Sequence, residues 1–428
     1  MNLTIFALHA AYTAMSPLYI GQKNIRIQNA RFSHFISPLL VNNYGKISQS
    51  VFTKGLSSAL ILERKTFNES TSYEIPESES LTVSDTAFLN IAGNGNDVVR
   101  IVGGYNIAFN NNFMFNCTNA ARDSDDSFVV FISNVKNSCQ VQNFCQDSCY
   151  SSSWANHLDN VKKAEISFCT FMNTSYEKCS ASICVSTGSY TMKNINITSA
   201  NLLLNVFEVD DDTQCSFTYF NALKSYTTRF CYIHSDSKTS ISVSQFLNNS
   251  CDEAFFFSES LFTLQLSFFS YNYFETFVSV SFSETPSDTI KIADCQFTSS
   301  KEEITKLYEE EIANQKYIVF SNNSYSYSYV PTINVEFLNS ANCAGFSFPT
   351  GDEDSILSKY SSEELIGIIL IAIGIVYTLG QLLIFLMRYS GDVKHLDRDL
   401  EVEDEDIDEL DEDDDESSMV KHRKHRKK

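Results

Sequence analysis

The sequence is short of the residues that usually turn a chain. It has 14 glycines and 6 prolines among 428 residues, too few to serve the hairpins of a large antiparallel β-protein. It is also short of positive charge. Lys and Arg number 31 against 53 Asp and Glu, a net charge of −22 that repels phosphate backbones unless a basic patch is segregated. Nucleic acid is therefore excluded as an expected partner. Cysteine is absent after Cys343 and asparagine after Asn342, so the C-terminal part is of a different kind from the rest. Disorder is excluded for most of the chain, because charged residues are 20% and hydrophobic ones 43%, with 34 Phe and 21 Tyr.

One long apolar run is present. Residues 365–387, "LIGIILIAIGIVYTLGQLLIFLM", contain no charge, and roughly 20 such residues suffice for a helix to cross a bilayer. A buried globular helix is the competing reading, but such helices seldom stay apolar on every face. Glu363 and Glu364 precede the run, whereas Arg388, Lys394 and Arg398 follow it. The positive-inside rule then predicts a single-pass plasma-membrane protein with its N-terminal domain extracellular and its C-terminus cytoplasmic. All twelve cysteines lie before the span, as an oxidising exterior would suit. So do the sequons at Asn2, Asn68, Asn116, Asn173, Asn196, Asn248 and Asn322, which are glycosylation candidates. Residues 1–19 have a short apolar stretch without a basic start, the pattern of an atypical or truncated signal region.

Between residues 20 and 350 one phrase recurs: a short alternating apolar stretch, then Phe, then Asn or Ser. Examples are "KNIRIQNARFSHF" (23–35), "KTSISVSQFLNNS" (238–250) and "TIKIADCQFTSS" (289–300). Phe32, Phe52, Phe88, Phe113, Phe144, Phe171, Phe220, Phe246, Phe269 and Phe297 mark its copies. The wide gap from Phe171 to Phe220 implies one more coil within 190–206. Period-2 strands repeating at this distance predict an all-β, parallel β-helix solenoid, in which Phe stacks on Phe and Asn or Ser fill the corners. Ile241 and Val243 would face inward, with an offset before Phe246. The competing sandwich needs hairpin turns, for which "GNG" (93–95) is the clear candidate. Residues 62–80 read as an inserted acidic loop and 300–317 as a short helix. Juxtamembrane residues 351–364, the span and a disordered tail, 388–428, complete the order.

The F-x-x-N phrase, as at Phe113 to Asn116 and Phe246 to Asn249, resembles a repeat of chlamydial polymorphic membrane proteins and of related surface proteins of trichomonad parasites. The companion G-G-A-[ILV] repeat is missing, the nearest string being "VGGYNI" (102–107). A single C-terminal helix in place of a transporter barrel makes the chain more similar to the single-pass trichomonad type, whose families are considered candidate adhesins. The resemblance spans about residues 20 to 345 and transfers no functional residue. It implies right-handed β-helix repeats and a role in adhesion, with an extracellular or host protein or glycan as ligand.

Several side chains are candidate sites. Asp210, Asp211 and Asp212 could serve as acid and base in a membrane-tethered polysaccharide lyase or hydrolase, since β-helices carry such enzymes. Asp123, Asp125 and Asp126 offer oxygen ligands for Ca²⁺ but lack EF-hand spacing. For both clusters the plainer reading is a solvated loop. No cofactor or zinc site is expected: Cys139, Cys145, Cys149, Cys169, Cys179 and Cys184 include no C-x-x-C pair and have only His157 nearby. They read instead as disulfides clamping a loop at residues 151–159, while Cys117, Cys251 and Cys295 fit buried free thiols. Trp154, the sole tryptophan, and the alternating Tyr325, Tyr327 and Tyr329 are candidate contact residues; capping a loop is the alternative for Trp154 and burial for the tyrosines. In the tail, fourteen acids lie between 399 and 416. Lys421, Arg423, Lys424, Arg426, Lys427 and Lys428 follow as candidates for contact with anionic inner-leaflet lipids. A receptor whose charged tail recruits cytosolic partners is a further reading.

Overall fold

The computed structural model describes residues 3–11, 19–20, 24–41, 44–63, 76–119, 127–176, 179–210, 212–234, 236–282, 286, 288–306 and 316–326. Every strand pairing among them is parallel, from Leu3↔Ile25 at the first coil to Phe297↔Tyr325 at the last. The described chain is thus a parallel β-solenoid of about 11 turns with almost no helix. Each full coil contributes one strand to each of three sheets. The first sheet contains Asn24–Gln28, Tyr44–Ser48, Leu81–Ser84, Lys238–Ser242, Phe262–Gln265 and Ile290–Ala293. The second contains Arg31–Ser33, Val51–Thr53, Ala87–Leu89, Gln245–Leu247 and Phe268–Ser270. The third contains Leu60–Glu63, Asn205–Val209, Tyr226–Ile233, Ser250–Ser258 and Thr276–Val280. Coil length ranges from 20 residues, Phe32 to Phe52, to 36, Phe52 to Phe88.

The interior of the second sheet is a single column. It runs Ala10, Phe32, Phe52, Phe88, Met114, Gln146, Phe171, Ile197, Ala222, Phe246, Phe269, Phe297 and Tyr325. Because paired strands lie about 4.8 Å apart, equivalent rings meet face to face. Phe52 and Phe88 stack at 5.2 Å with 8° between planes, and Phe246 and Phe269 at 4.6 Å with 11°. Seven of the ten marker phenylalanines belong to this column. Phe113, Phe144 and Phe220 do not, because Met114, Gln146 and Ala222 occupy their rungs. The coil expected within 190–206 is present, and Ile197 is its rung.

The scarcity of glycine is answered at the corners. Asn29, Gln49, Asp85, Asn111, Asn143, Phe168, Asn194, Tyr219, Val243, Leu266 and Asp294 all have φ between 48° and 60°, a left-handed bend between the first and second sheets. L-residues pay about 1–2 kcal/mol there, with Asn and Asp the most tolerant. Side-chain bonds between coils offset part of that cost: Asn143 Nδ2 donates to Asn111 Oδ1 at 2.8 Å, and Asn111 Nδ2 to Asp85 Oδ1 at 3.1 Å. Val243 is a corner residue rather than an inward one, which is the physical origin of the offset between Ile241 and Phe246. The "GNG" segment makes a tight turn, with Asn96 N donating to Gly93 O at 3.0 Å, but within a coil rather than a hairpin.

Three boundaries change. Leu3–Phe6 and His9–Ala11 pair with the next coil, so these residues of the expected signal region form the first coil. Leu62 and Glu63 of the expected 62–80 insertion belong to a strand, whereas 64–75 lie outside the described residues. Within 300–317 a helix spans Lys301–Ile304, started by a capping box in which Ser300 Oγ accepts from Glu303 N. The span at 365–387 and the tail lie outside the described residues, and no described helix is long and apolar enough to cross a membrane.

Candidate recognition face

The outer surface of the third sheet gathers the chemistry. Strand register places Arg100, Phe131, His157, Cys184, Glu208, Tyr232, Phe257 and Ser279 in one outward row on consecutive coils. A second outward row, two residues further along each strand, runs from Glu63 and Val102 through Ser133, Asp159 and Ser186. Asp210 N then bonds Val185 O at 2.8 Å and His234 N bonds Val209 O at 2.9 Å, which carry that row through Asp210 and His234. Period 2 along a strand and one coil between strands therefore bring together residues far apart in sequence.

Trp154 anchors the centre. Its Nε1 donates to Glu208 Oε2 at 2.8 Å. Trp154 is in register with Ala181, and Ala181 with Asn205, so the indole crosses a whole coil to reach Glu208. The intervening Cys184 is fully buried. Glu208 also accepts from Asn205 Nδ2 at 3.3 Å and pairs with His234 Nε2 at 2.9 Å, while His234 Nδ1 lies 3.4 Å from Asp210 Oδ1. His234 lies against Tyr232 with centroids 3.9 Å apart and the rings tilted by 30°.

Aromatic rings continue the strip on both sides of this network. Phe128 stacks on Trp154 at 5.8 Å, and His157 lies 5.2 Å from the indole. Arg100 sits 4.8 Å over Phe131, and Arg229 sits 4.1 Å over Phe257 while pairing with Glu253 at 2.8 Å. Each contact joins a cation to a ring face. Ser186 Oγ donates to Asp159 Oδ1 at 2.9 Å, which leaves it an acceptor toward His157 Nε2, also at 2.9 Å. The proton between them then belongs to His157.

The charges here are held by their neighbours. Burial opposes ionisation of Glu208 most strongly, but the bonds from His234, Trp154 and Asn205 outweigh it and keep the carboxyl below its ordinary value. Burial likewise opposes a charged His234, yet its bond to Glu208 and the charges of Asp210, Glu208 and Glu259 raise it above the ordinary imidazole value. The two shifts agree in direction, each favouring the charged form that its partner stabilises. A general acid needs a carboxyl pushed upward, and Glu208 is pushed the other way. The arrangement suits contact through partly exposed rings and fixed charges.

The structure brings three of the sequence candidates onto this face: Trp154, Asp210 and the fully buried Cys184. Asp212 is exposed at a left-handed corner with φ 52°, and Asp211 lies outside the described residues. So do Asp123, Asp125, Asp126, Tyr327, Tyr329, Asn2, Asn68 and the six basic residues from Lys421 to Lys428. Tyr325 is half-buried and stacks on Phe297 at 5.5 Å and 12°, at the last described rung of the column. Asn116, Asn173, Asn248 and Asn322 are exposed at left-handed corners. Asn196 is 4% exposed and accepts from Asn221 Nδ2 at 2.9 Å, so the folded coil has no room for a glycan there. The expected disulfide clamp is also corrected. Cys139, Cys149, Cys169, Cys179 and Cys184 are free and buried, and Trp154–Asp159 is strand rather than loop. Cys145 alone of the six stands outside that set of free thiols. Cys117, Cys251 and Cys295 are buried free thiols as expected.

Sequence reasoning missed Glu208, His234, His157, Asp159 and Tyr232 as parts of a site. Their signal was present as W-x-x-H-x-D at 154–159 and E-x-D at 208–210, outward positions of two strands, but it becomes legible only when coil phase is known. Among the described residues no cluster of His, Cys, Asp or Glu has the geometry of a metal site.

Fold and face together define a class: a parallel β-solenoid with an aromatic and charged strip along one sheet. Comparisons with family models, with curated proteins and with solved structures find no match.

Proposed function

We propose that the chain is a single-pass surface protein that presents its solenoid outside the cell for adhesion or ligand recognition through the third-sheet strip. The observation that carries this reading is the strip itself, which keeps partly exposed rings and fixed charges in register from Arg100 to Phe257. Rigid rings lose little entropy on contact, and repeated coils add weak contacts into avidity. The apolar run at 365–387, the charges flanking it and the loose resemblance to trichomonad surface proteins support the membrane placement. Expression of the full chain with a C-terminal tag tests the reading. Antibody against the solenoid should label intact cells, the tag should be reached only after permeabilisation, and Trp154→Ala should weaken binding to host cells or glycans. Solenoid signal confined to permeabilised cells would overturn the surface reading.

A tethered polysaccharide hydrolase is the second reading. It is favoured by Asp159 and Asp210, which flank Ser186 on either side in one outward row, about two coil rises or ~9.6 Å apart. Product release abolished in Asp159→Asn or Asp210→Asn would establish it; saturable binding without product favours recognition.

A further inference from the structure

A second site lies on the first sheet, away from the strip. A groove of about 390 Å³ opens between coils there. Its floor is a ladder of hydroxyls, Thr191, Ser216, Ser240 and Thr263, in register on four consecutive coils. All four are half-buried, and none hydrogen-bonds to another described residue. Half-buried hydroxyls elsewhere are mixed: Thr218 pairs with Ser242 and Ser242 with Phe217 O, whereas that of Thr82 on the same sheet also has no bond to a described residue. Only the four of the ladder stand together along the groove. The ladder is therefore a row of donors and acceptors turned toward whatever fills the groove.

The charge around it is opposite to that of the chain. Lys291 continues the ladder beyond Thr263, and Lys238 projects from the strand that carries Ser240. Both are exposed; Lys291 is paired with Asp288 at 3.2 Å, and Lys238 has no ion pair among the described residues. The strands of this sheet carry five cations, Arg26, Lys46, Lys193, Lys238 and Lys291, against one acid, Glu165. The third sheet has the reverse balance, with Glu63, Asp159, Glu208, Asp252 and Glu253 against Arg100 and Arg229. A net charge of −22 thus conceals a positively charged sheet.

We propose that this groove binds a linear polysaccharide bearing carboxylate or sulfate groups. Hydroxyls repeated at every coil match a polymer that repeats its own hydroxyls, and the lysines match its anions. Two other polyanions fit less well. Single-stranded nucleic acid wants exposed rings for stacking, whereas the two rings lining the groove, Tyr190 and Phe262, are each 1% exposed. A membrane surface is flat, and the groove is concave and polar. The site is independent of the strip and of the surface reading.

The test uses the full chain purified in detergent. Probes are polygalacturonate, dextran sulfate, neutral dextran, a 20-residue oligothymidylate and vesicles containing phosphatidylserine. Polygalacturonate or dextran sulfate should bind saturably and weaken with added salt, and dextran should not bind. Lys238→Glu with Lys291→Glu should raise the half-saturating polyanion concentration by roughly tenfold or more, as Coulomb repulsion across one groove requires. Lys238→Arg with Lys291→Arg should restore it, and Lys46→Glu, far from the groove on the same sheet, should leave it unchanged. Should the doubly reversed chain melt early, Thr263→Val reads the ladder alone and should weaken binding by about threefold, the loss of one modest hydrogen bond. Equal binding of dextran, undiminished polyanion binding in both groove variants, or tighter binding of the oligonucleotide or vesicles would overturn the proposal. Loss of polyanion binding on Trp154→Ala with the groove variants unaffected would move the ligand to the strip and equally refute it.

Discussion

Trp154 and Glu208 are 54 residues apart in the chain and 2.8 Å apart across the sheet. The small side chain of Ala181 makes this contact feasible, because it occupies the rung between Trp154 and Asn205 and leaves the indole room to lie across its coil. Since Trp154 is the sole tryptophan, its fluorescence reports on this face alone. Glu208→Ala should shift native emission to the red by releasing the indole to water. Trp154→Phe should cost about 1–3 kcal/mol in a denaturant melt, because Glu208, 6% exposed and charged, loses one of its donors. An unchanged emission spectrum in Glu208→Ala would show that the indole is fixed by packing instead.

The Glu208–His234 pair makes a pH prediction. His234 is raised above 6.5 in the folded chain, so its contribution is fully present below 6.5 and fades as pH rises through the folded value. Glu208 is lowered below 4.5, so its contribution is present above 4.5 and fades as pH falls through the folded value. Both act together between 4.5 and 6.5. His234→Gln should therefore cost most stability in that window and least at alkaline pH, measured as denaturant midpoints at several pH values. A cost independent of pH would mean that the ring packs on Tyr232 without needing its charge.

Much of the fold was legible because a solenoid repeats its physics. Phe52, Phe88 and Phe246 announced the interior column, and the Asn-rich corners explained how so few glycines suffice. Coil phase was harder to read. Phe113 sits beside its rung while Met114 fills it, and Gln146 occupies a rung that hydrophobicity alone would never assign. That glutamine is buried because Asn156 Nδ2, from the third sheet, donates to its Oε1 at 2.6 Å across the interior. The candidate site was less legible for the same reason. Trp154 and Asp210 drew notice by their residue types, but Glu208 and His234 acquire meaning only through rungs set by neighbouring coils. The cysteines misled because a thiol pattern does not distinguish an exposed clamp from interior rungs such as Cys139 and Cys215, which share one column with Tyr190 between them.

Two phenylalanines should respond in opposite directions. Phe246 is buried between Ala222 and Phe269 in the column and packs edge-on against Phe230 and Phe255, so Phe246→Ala should cost about 3–5 kcal/mol. Phe168 is 43% exposed and is held at φ 56°, a conformation its side chain disfavours. Phe168→Asn should stabilise the chain by up to about 1 kcal/mol, as asparagine tolerates that bend. Chemical denaturation of the two variants beside the parent chain separates these outcomes. Destabilisation by Phe168→Asn would mean that the ring contributes a contact outweighing its backbone cost.

The buried thiols define the last test. Burial pushes Cys139 and Cys169 up to about 12, Cys179 to about 11 and Cys295 to about 12. Cys149 is raised by burial and then by the side chain of Cys117, against the Cys117 N–H that donates to its Sγ at 3.3 Å. Thiolate, not thiol, is the nucleophile, so each is slowed both by inaccessibility and by protonation. Iodoacetamide at pH 8 should leave all ten free described cysteines unmodified in the native chain and alkylate them once denaturant unfolds the coils. Residue-resolved mass spectrometry gives the rates. Cys139, Cys169 and Cys215 should label together, since a continuous interior opens by unstacking coils rather than by exposing single rungs. Fast native labelling confined to Cys117 and Cys149 would instead place a local opening at the corner they share.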